Sequence, residues 1–222
     1  MSASTTDAAT RAAWDAVADR YGVLLPDMSS EAPLDRAVLA AYAEMLAEDT
    51  SGIVAEVGCG TGRVARHLRD AGLQIVGFDL SPRMAAAARA AHAELPFAVA
   101  DAAALPVRAA VLRGLVSWYS IINTPTASLP SMFAEFAHVT RRGAAVLVAF
   151  QSGDGQEVER TASYGLPVTL TYYRHSADAT AAALIAAGFS LYASVTRAAV
   201  LPFESTTQTV LLAHRNELEV ML

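Results

Sequence analysis

The sequence predicts a doubly wound α/β fold, in which a mostly parallel sheet carries helices on both faces. Short apolar stretches recur along the chain and alternate with stretches whose apolar residues have helical spacing, the pattern of repeated strand–helix units. One unit, residues 53–68, places three glycines between its strand and its helix. A length of 222 residues suits one such domain with a small appendage rather than two full domains.

The elements are predicted in chain order from these patterns. Residues 1–10 are small and polar and are expected to be disordered. Helices are predicted at 11–22, from Pro33 onward, and at 62–71, 82–94, 129–141 and 176–187. Strands are predicted at 53–57, 74–79, 97–100, 115–122, 144–150, 168–173, 189–197 and 207–214.

The glycine turn is the strongest candidate for a binding site. It reads Glu56-Val57-Gly58-Cys59-Gly60-Thr61-Gly62. Glycine reaches positive φ at little cost, and its missing Cβ lets a ligand approach the main chain. A turn that opens a helix also presents free N–H groups, which favour negative charge. A tight strand-to-helix connection without a ligand is the alternative that the turn alone leaves open.

Two further features bear on the kind of ligand. The GxGxG spacing differs from the GxGxxG turn of dinucleotide-binding proteins. Asp79 closes the next strand, at about the spacing at which a carboxylate meets ribose hydroxyls in nucleoside-binding α/β folds.

This ordered set of an acid, three glycines and a downstream acid resembles the class I S-adenosylmethionine-dependent methyltransferases, over residues 51–214. The resemblance implies a Rossmann-like seven-stranded sheet with a reversed last strand, and S-adenosyl-L-methionine as cofactor. In that family the turn holds the methionyl part of the cofactor, the acid after the second strand binds both ribose hydroxyls, and a later acid contacts the adenine amino group. Carried onto this sequence, the implied cofactor site consists of Tyr21, Glu56, Gly58, Cys59, Gly60, Gly62, Asp79, Leu80, Asp101, Ala102 and Ser117.

The family also suggests how the chain is divided. An N-terminal helix lies over the cofactor as a lid in related methyltransferases, which implies that role for the helix with Trp14 and Tyr21, although packing on the core is the alternative for both residues. For Asp101 the alternative is the capping of a turn. The expected domains are N-terminal lid helices at 1–48, a methyltransferase core at 49–215 with a cover insertion at about 151–175, and a tail at 216–222.

No general base stands out. Relatives often carry a histidine near the position of Asn123, and none is present there. The two candidates for a catalytic role are His175, near the expected mouth of the site, and Tyr119, at the end of the fourth strand. A solvated connector is the alternative for His175, and a core position is the alternative for Tyr119.

Composition excludes several other classes. A net charge of −6 without a basic stripe argues against nucleic acid and anionic membrane surfaces as partners. The chain lacks a secretion signal and an apolar run of roughly 20 residues, so a cytoplasmic protein is expected. Cys59 is the only cysteine, and no His, Asp or Glu grouping has metal-ligand spacing, so no metal is expected.

We therefore expect an enzyme that transfers a methyl group from S-adenosylmethionine to a small organic acceptor at an O, N or C atom, as in secondary metabolism. It would act as a monomer or homodimer. One alternative is a cofactor-binding fold that does not methylate and assists a cyclisation or rearrangement. It is motivated by Arg113, where relatives usually carry an acid, and by the missing histidine near Asn123. A second is a nicotinamide dehydrogenase, which the turn spacing disfavours.

Overall fold

The computed structural model describes residues 5–49 and 51–217, and a mixed β-sheet forms the centre of this part of the chain. Its strands are β1 (Ile53–Val57), β2 (Ile75–Asp79), β3 (Phe97–Val99), β4 (Leu112–Trp118), β5 (Thr140–Gln151), β8 (Phe189–Arg197) and β9 (Gln208–Arg215). They lie in the order β3-β2-β1-β4-β5-β9-β8. Strand β9 runs antiparallel to both of its neighbours, and the pairs from β3 to β5 are parallel. The predicted seven-stranded sheet with a reversed last strand is confirmed.

Helices cover both faces of the sheet. They are α1 (Thr5–Leu24), α2 (Pro33–Met45), α3 (Arg63–Asp70), α4 (Pro82–Ala91), α5 (Leu129–Val139) and α6 (Ala177–Ala186). Phe133 and Phe136 of α5 belong to the apolar cluster on one face, and Leu39 of α2 and Leu68 of α3 belong to the cluster on the other. Because both faces are covered, the central strand β4 is buried at every position, as expected for a parallel strand between two helical layers.

The N-terminal helix is longer than its apolar stripe predicts. It begins at Thr5, so the expectation of disorder is wrong for residues 5–10, while residues 1–4 lie outside the described part. The segment is rich in alanine, which has the highest helix propensity. The helix also passes through Gly22, where a Cβ would lie 3.4 Å from Thr61 Cγ2. At this position glycine therefore serves close packing on the turn and does not end the helix.

Two central boundaries also differ from the prediction. Strand β4 starts at Leu112 and ends at Trp118 instead of spanning 115–122, because Tyr119 has a positive φ of 55° and a 3₁₀ turn follows at Ile121–Asn123. Strand β5 begins at Thr140, directly after α5, rather than at 144. The predicted helix stop at residues 142–143 is thus inside the strand.

A second, two-stranded antiparallel sheet stands apart from the first. It consists of β6 (Gln156–Arg160) and β7 (Leu170–Arg174). Strand β6 is not among the predicted strands, because its sequence QEVER has a single apolar residue, Val158, and gives no alternating signal. Of the predicted tail at 216–222, residues 218–222 lie outside the described residues. None of the described helices combines the length and apolar character that crossing a bilayer requires.

Candidate active site at the carboxyl edge of the sheet

A cavity of about 1090 Å³ opens at the edge where the parallel strands end. Residues at the carboxyl ends of β1, β2, β4 and β5 form its floor, the place where ligands bind in open α/β sheets. Side chains of α1, the β6–β7 hairpin and the loop before β9 form its other walls. Its volume reaches the upper end of the range for small-molecule sites, roughly 300–1,000 Å³, so it can hold more than one small molecule.

The glycine turn forms part of this floor. Gly58 has a φ of 75°, and a Cβ built on it would lie 2.1 Å from Ser120 Cβ. A Cβ on Gly60 (φ 53°) would approach the ring of Tyr21 to 3.4 Å. A side chain at Gly58 would therefore collide with Ser120, whereas a Cβ at Gly60 would make an ordinary contact with the Tyr21 ring.

The expectation of free main-chain amides in this turn is wrong for four of its residues. The N–H groups of Gly58 and Cys59 both donate to the Phe78 carbonyl, at 2.7 and 2.9 Å. The N–H of Gly60 donates to Asp79 Oδ2 at 2.7 Å, and that of Gly62 to the Cys59 carbonyl. The glycines therefore provide space and shape rather than a row of unpaired donors.

Asp79 ties the turn to the next strand. Besides the Gly60 N–H, its carboxylate accepts the N–H of Ser81 through Oδ1 at 2.8 Å. Each carboxylate oxygen still has a second lone pair, and the side chain lines the cavity. Burial raises the pKa of Asp79 to about 6, against the opposing effect of the two main-chain donors.

Asp101 lies farther along the same wall, after β3. Its Oδ1 accepts the N–H of Ala103 at 2.8 Å, so it does cap a turn, as the alternative interpretation held. Asp101 and Ala102 also line the cavity. The cap and a ligand contact are compatible, because the cap engages one of the two carboxylate oxygens.

Helix α1 closes the cavity from above. Trp14 Nε1–H donates to Asn123 Oδ1 at 3.2 Å, and Asn123 Nδ2 in turn donates to the Thr171 carbonyl at 2.7 Å. The rings of Trp14, Tyr21 and Tyr164 pack against one another with centroids 5.3–5.7 Å apart. All three line the cavity, so aromatic side chains from α1 and from the hairpin loop form its roof.

Asp15 fastens α1 to the first turn of α4. Its Oδ1 accepts from Ser81 Oγ at 2.5 Å and from the Arg83 N–H at 3.0 Å. A carboxylate at a helix N-terminus is stabilising because of the unpaired donors and the helix dipole. This contact joins the roof to the loop that begins at Asp79.

We expect Asp15→Ala to lower the free energy of unfolding by about 1–2 kcal/mol, through loss of the two hydrogen bonds at the helix terminus. Urea denaturation measures the change. Asp19→Ala is the matched control, since Asp19 pairs with Arg83 on the exposed surface and should contribute no more than about 1 kcal/mol. Equal effects of the two substitutions would contradict the role of Asp15.

Four of the expected cofactor residues lie behind the cavity wall. They are buried or packed around the turn and do not line the cavity: Glu56, Cys59, Gly62 and Ser117. Burial raises the pKa of Glu56 to about 8. A Cβ on Gly62 would lie 2.7 Å from Phe97 Cζ, and Ser117 Oγ is 2.6 Å from Ser120 Oγ. Their placement supports the turn from below.

Comparison with known proteins shows which family this part of the sequence resembles. A family profile described as "Methyltransferase domain" matches residues 54–143, which include the glycine turn, Asp79 and Asp101. Residues 54–143 thus match a methyltransferase domain, and the predicted resemblance to the class I S-adenosylmethionine-dependent methyltransferases is confirmed. The other expected cofactor residues of this methyltransferase fold do line the cavity: Tyr21, Gly58, Gly60, Asp79, Leu80, Asp101 and Ala102.

Curated proteins similar in sequence include several named malonyl-(acyl-carrier protein) O-methyltransferase. Malonyl-(acyl-carrier protein) O-methyltransferase of Pseudescherichia vulneris is 30% identical over 131 residues, covering 59% of this chain and 51% of that protein. The chain thus spans about half the length of this curated relative.

Solved structures share the fold over nearly the whole chain. Magnesium protoporphyrin IX methyltransferase from Synechocystis PCC 6803 with bound S-adenosylmethionine has a TM-score of 0.73 at 18% identity, covering 97% of this chain and 100% of that one. The 4+2 cyclase SpnF has a TM-score of 0.71 at 17% identity, covering 97% and 98%. At these identities the likeness shows the fold alone.

The two catalytic candidates of this methyltransferase fold are placed differently. His175 is fully buried and does not line the cavity. One ring nitrogen lies 2.9 Å from the Ile121 carbonyl and the other 3.1 Å from Thr126 Oγ1, and burial lowers its pKa. Both nitrogens are engaged, so neither the catalytic role nor the solvated connector fits; His175 joins β7 to the 3₁₀ turns after β4.

Tyr119 does line the cavity, but not as a base. Burial, with the nearby carboxylates of Asp35 and Glu31, raises the pKa of its phenol far above the usual value. The hydroxyl is buried and has no hydrogen-bond partner among the described residues. A phenol in this setting stays protonated, so it can form hydrogen bonds but cannot take up a proton as a general base.

Several cavity residues were not expected from the sequence. Arg63 begins α3 directly after the glycine turn and forms a buried ion pair of 2.5 Å with Glu31, from the connection between α1 and α2. Glu204 accepts from both Nη atoms of Arg197. The position of Arg63 directly after the glycine turn could have indicated that it lies near the cavity, but its partner Glu31 lies 32 residues earlier in the sequence.

Proposed function

We propose that this chain binds S-adenosylmethionine in the described cavity and transfers its methyl group to a small organic acceptor bound beside it. The observation that carries the proposal is a continuous cavity, larger than one cofactor-sized ligand requires, whose floor holds Gly58, Gly60, Asp79 and Asp101. A Cβ on Gly58 would lie 2.1 Å from Ser120 Cβ, so the glycine lets the end of β4 pack directly against the turn and shapes this floor.

The proposed cofactor contacts follow from the lining residues. Asp79 would accept hydrogen bonds from the two ribose hydroxyls, Asp101 would accept from the adenine amino group, and Tyr21 would cover the tail above Gly60. Bound S-adenosylmethionine supplies an electrophilic methyl group on a positively charged sulfur. The rings of Trp14 and Tyr21 would exclude water from this methyl group. Exclusion of water strengthens the electrostatic interactions between the reacting groups and the fixed dipoles of the protein.

The cavity walls offer few side chains that could act as a general acid or base. Among the described residues, no histidine or cysteine lines the cavity. The carboxylates that line it already accept a hydrogen bond or form an ion pair: Glu31, Asp79, Asp101 and Glu204. We therefore infer that transfer depends on orientation and water exclusion, and that the acceptor atom arrives in a nucleophilic form.

The proposal also covers the type of acceptor, the oligomeric state and the location of the protein. The acceptor is a small molecule, the state is monomeric or homodimeric, the location is cytoplasmic, and nucleic acid is not a substrate. A net charge of −6 supports the last of these. We also propose that residues 1–48 form the lid, that 49–215 form the core with a cover at about 151–175, and that 216–222 form the tail.

An isothermal titration with S-adenosylhomocysteine and, separately, with NAD tests the binding step. We expect a saturable response to S-adenosylhomocysteine and none to NAD. A product assay tests the transfer: S-adenosylhomocysteine must form in equal amount with a methylated acceptor. NAD binding without any response to S-adenosylhomocysteine would contradict the proposal.

The alternative, a fold that binds the cofactor without methylating, is supported by the lack of a free base in the cavity and by the fold shared with a cyclase. It predicts binding of S-adenosylhomocysteine but conversion of a substrate with no consumption of S-adenosylmethionine. The product assay therefore separates the two functions.

The raised pKa of Asp79 predicts a pH-dependent affinity. The carboxylate is the form that accepts both hydroxyl hydrogen bonds, and its pKa of about 6 means that it becomes protonated as the pH falls through that value. Affinity for S-adenosylhomocysteine should be full above pH about 7 and decline below 6, approaching about tenfold per pH unit. In Asp79→Asn, weaker binding with no such decline is expected; the same pH profile in both proteins would contradict the assignment.

A further inference from the structure

The β6–β7 hairpin presents two arginines on one of its faces. Val158 pairs with Tyr172, and Gln156 with Arg174. Because successive side chains of a strand point to opposite faces, Arg160 and Arg174 share the face of Tyr172. Arg160 and Tyr172 line the cavity, so this face is directed towards it.

The acidic residues of the hairpin cannot neutralise these arginines. Glu157 and Glu159 alternate with them on β6 and therefore lie on the opposite face. Within residues 5–49 and 51–217, neither Arg160 nor Arg174 lies within 4.0 Å of a carboxylate oxygen. The nearest acid in the adjoining loop, Glu204, is already paired with Arg197.

The two guanidinium groups instead converge on one hydroxyl. Arg160 Nη2 and Arg174 Nη2 lie 3.2 and 3.1 Å from Ser205 Oγ. The Arg160 guanidinium also lies over the Tyr172 ring, 5.4 Å from its centroid. The Nε atom of Arg174 is buried and has no hydrogen-bond partner among the described residues.

An anion would relieve two costs of this arrangement, of which the first is reduced by water because Arg160 and Ser205 are exposed. Two like charges held together repel each other, and a buried donor without a partner loses its hydration. Planar guanidinium groups bind carboxylate and phosphate oxygens with paired hydrogen bonds. We propose that Arg160 and Arg174, with Ser205, bind a carboxylate or phosphate group of the acceptor at the mouth of the cavity; this inference rests on the proposed function.

The surrounding surface indicates the rest of that molecule. Phe203, in the same β8–β9 loop as Ser205, lines the cavity and is 58% exposed. Leu24 of α1 also lines the cavity and is 48% exposed. An acceptor with an anionic end on the arginines and an apolar body against these side chains and Tyr172 matches both properties.

Binding of small probes tests the site directly. We would titrate phenyl phosphate, phenylacetate and the neutral 2-phenylethanol into the protein, with and without saturating S-adenosylhomocysteine, in a phosphate-free buffer. At least one anion should bind about tenfold more tightly than the alcohol. The anion that binds more tightly shows whether the natural group is a phosphate or a carboxylate.

Substitutions assign the binding to the two arginines. Arg160→Gln and Arg174→Gln should each weaken binding of the preferred anion about tenfold, and Arg174→Lys should weaken it less because the charge is kept. Arg69→Gln, on the exposed end of α3, is the matched control and should have no effect. Titration of each variant with S-adenosylhomocysteine shows that the cavity is intact and tests the proposed function separately.

The inference is overturned if neither anion binds the wild-type protein more tightly than 2-phenylethanol. It is also overturned if both arginine variants bind the anion as the wild type does. Because the probes are also titrated without S-adenosylhomocysteine, a protein that fails to bind the cofactor still gives an answer on the anion site.

Discussion

Gly58→Ala should abolish detectable binding of S-adenosylhomocysteine and lower the free energy of unfolding by about 2–4 kcal/mol. The backbone at Gly58 has a φ of 75°, which costs any residue with a Cβ. The added Cβ would also lie 2.1 Å from Ser120 Cβ, which is fixed close to the main chain and cannot turn away. Either the turn or the end of β4 must move, and both form the floor of the cavity.

Gly72→Ala separates the cost of a positive φ from the cost of the collision with Ser120. Gly72 has a φ of 93° but nothing within 4 Å of its Cβ position, so its substitution carries the backbone cost alone, about 1–2 kcal/mol. Urea denaturation and calorimetric titration of both variants make the comparison. Equal losses of stability, or normal S-adenosylhomocysteine binding by Gly58→Ala, would show that the close packing of Ser120 on the turn is not needed.

Asp79→Ala should weaken binding of S-adenosylhomocysteine by at least about a hundredfold, since two charge-assisted hydrogen bonds to the ribose are lost together. The substitution also removes the acceptor for the N–H groups of Gly60 and Ser81, which loosens the turn. The dissociation constant from calorimetry is the measure.

Glu56→Gln is a suitable comparison for Asp79→Ala. Glu56 was also expected at the cofactor, yet it lies behind the wall, and with a pKa raised to about 8 it is mostly protonated at neutral pH, so the neutral amide resembles it. We expect less than about a threefold change in affinity for Glu56→Gln. An unchanged dissociation constant in Asp79→Ala would refute its role.

The parts predicted correctly from the sequence are those encoded by neighbouring residues. The apolar runs of β1 and β2 fix where each strand ends, and the ends of parallel strands meet at one edge. That is why Gly58, Gly60 and Asp79 could be placed together before the fold was known. The same reasoning does not show that the amides of the turn are engaged, because the acceptors for three of the four, the Phe78 carbonyl and the Asp79 carboxylate, lie on another strand.

The residues whose predicted catalytic role does not fit are those whose surroundings depend on tertiary packing. His175 stands in a polar connection, and nothing nearby in the sequence shows that Ile121 and Thr126 enclose its ring. Tyr119 was placed at the cavity correctly, but the carboxylates that raise its pKa, Glu31 and Asp35, come from residues more than eighty positions away. Burial and distant charge decide the protonation of both side chains, and neither is encoded locally.

A crystal structure with S-adenosylhomocysteine tests the central claim most directly. The ribose hydroxyls should lie within hydrogen-bond distance of the Asp79 carboxylate, the adenine beside Asp101, and the amino-acid tail between Gly60 and the Tyr21 ring. Density for the ligand at any other place, or a cavity closed by side chains over Gly58, would contradict the account.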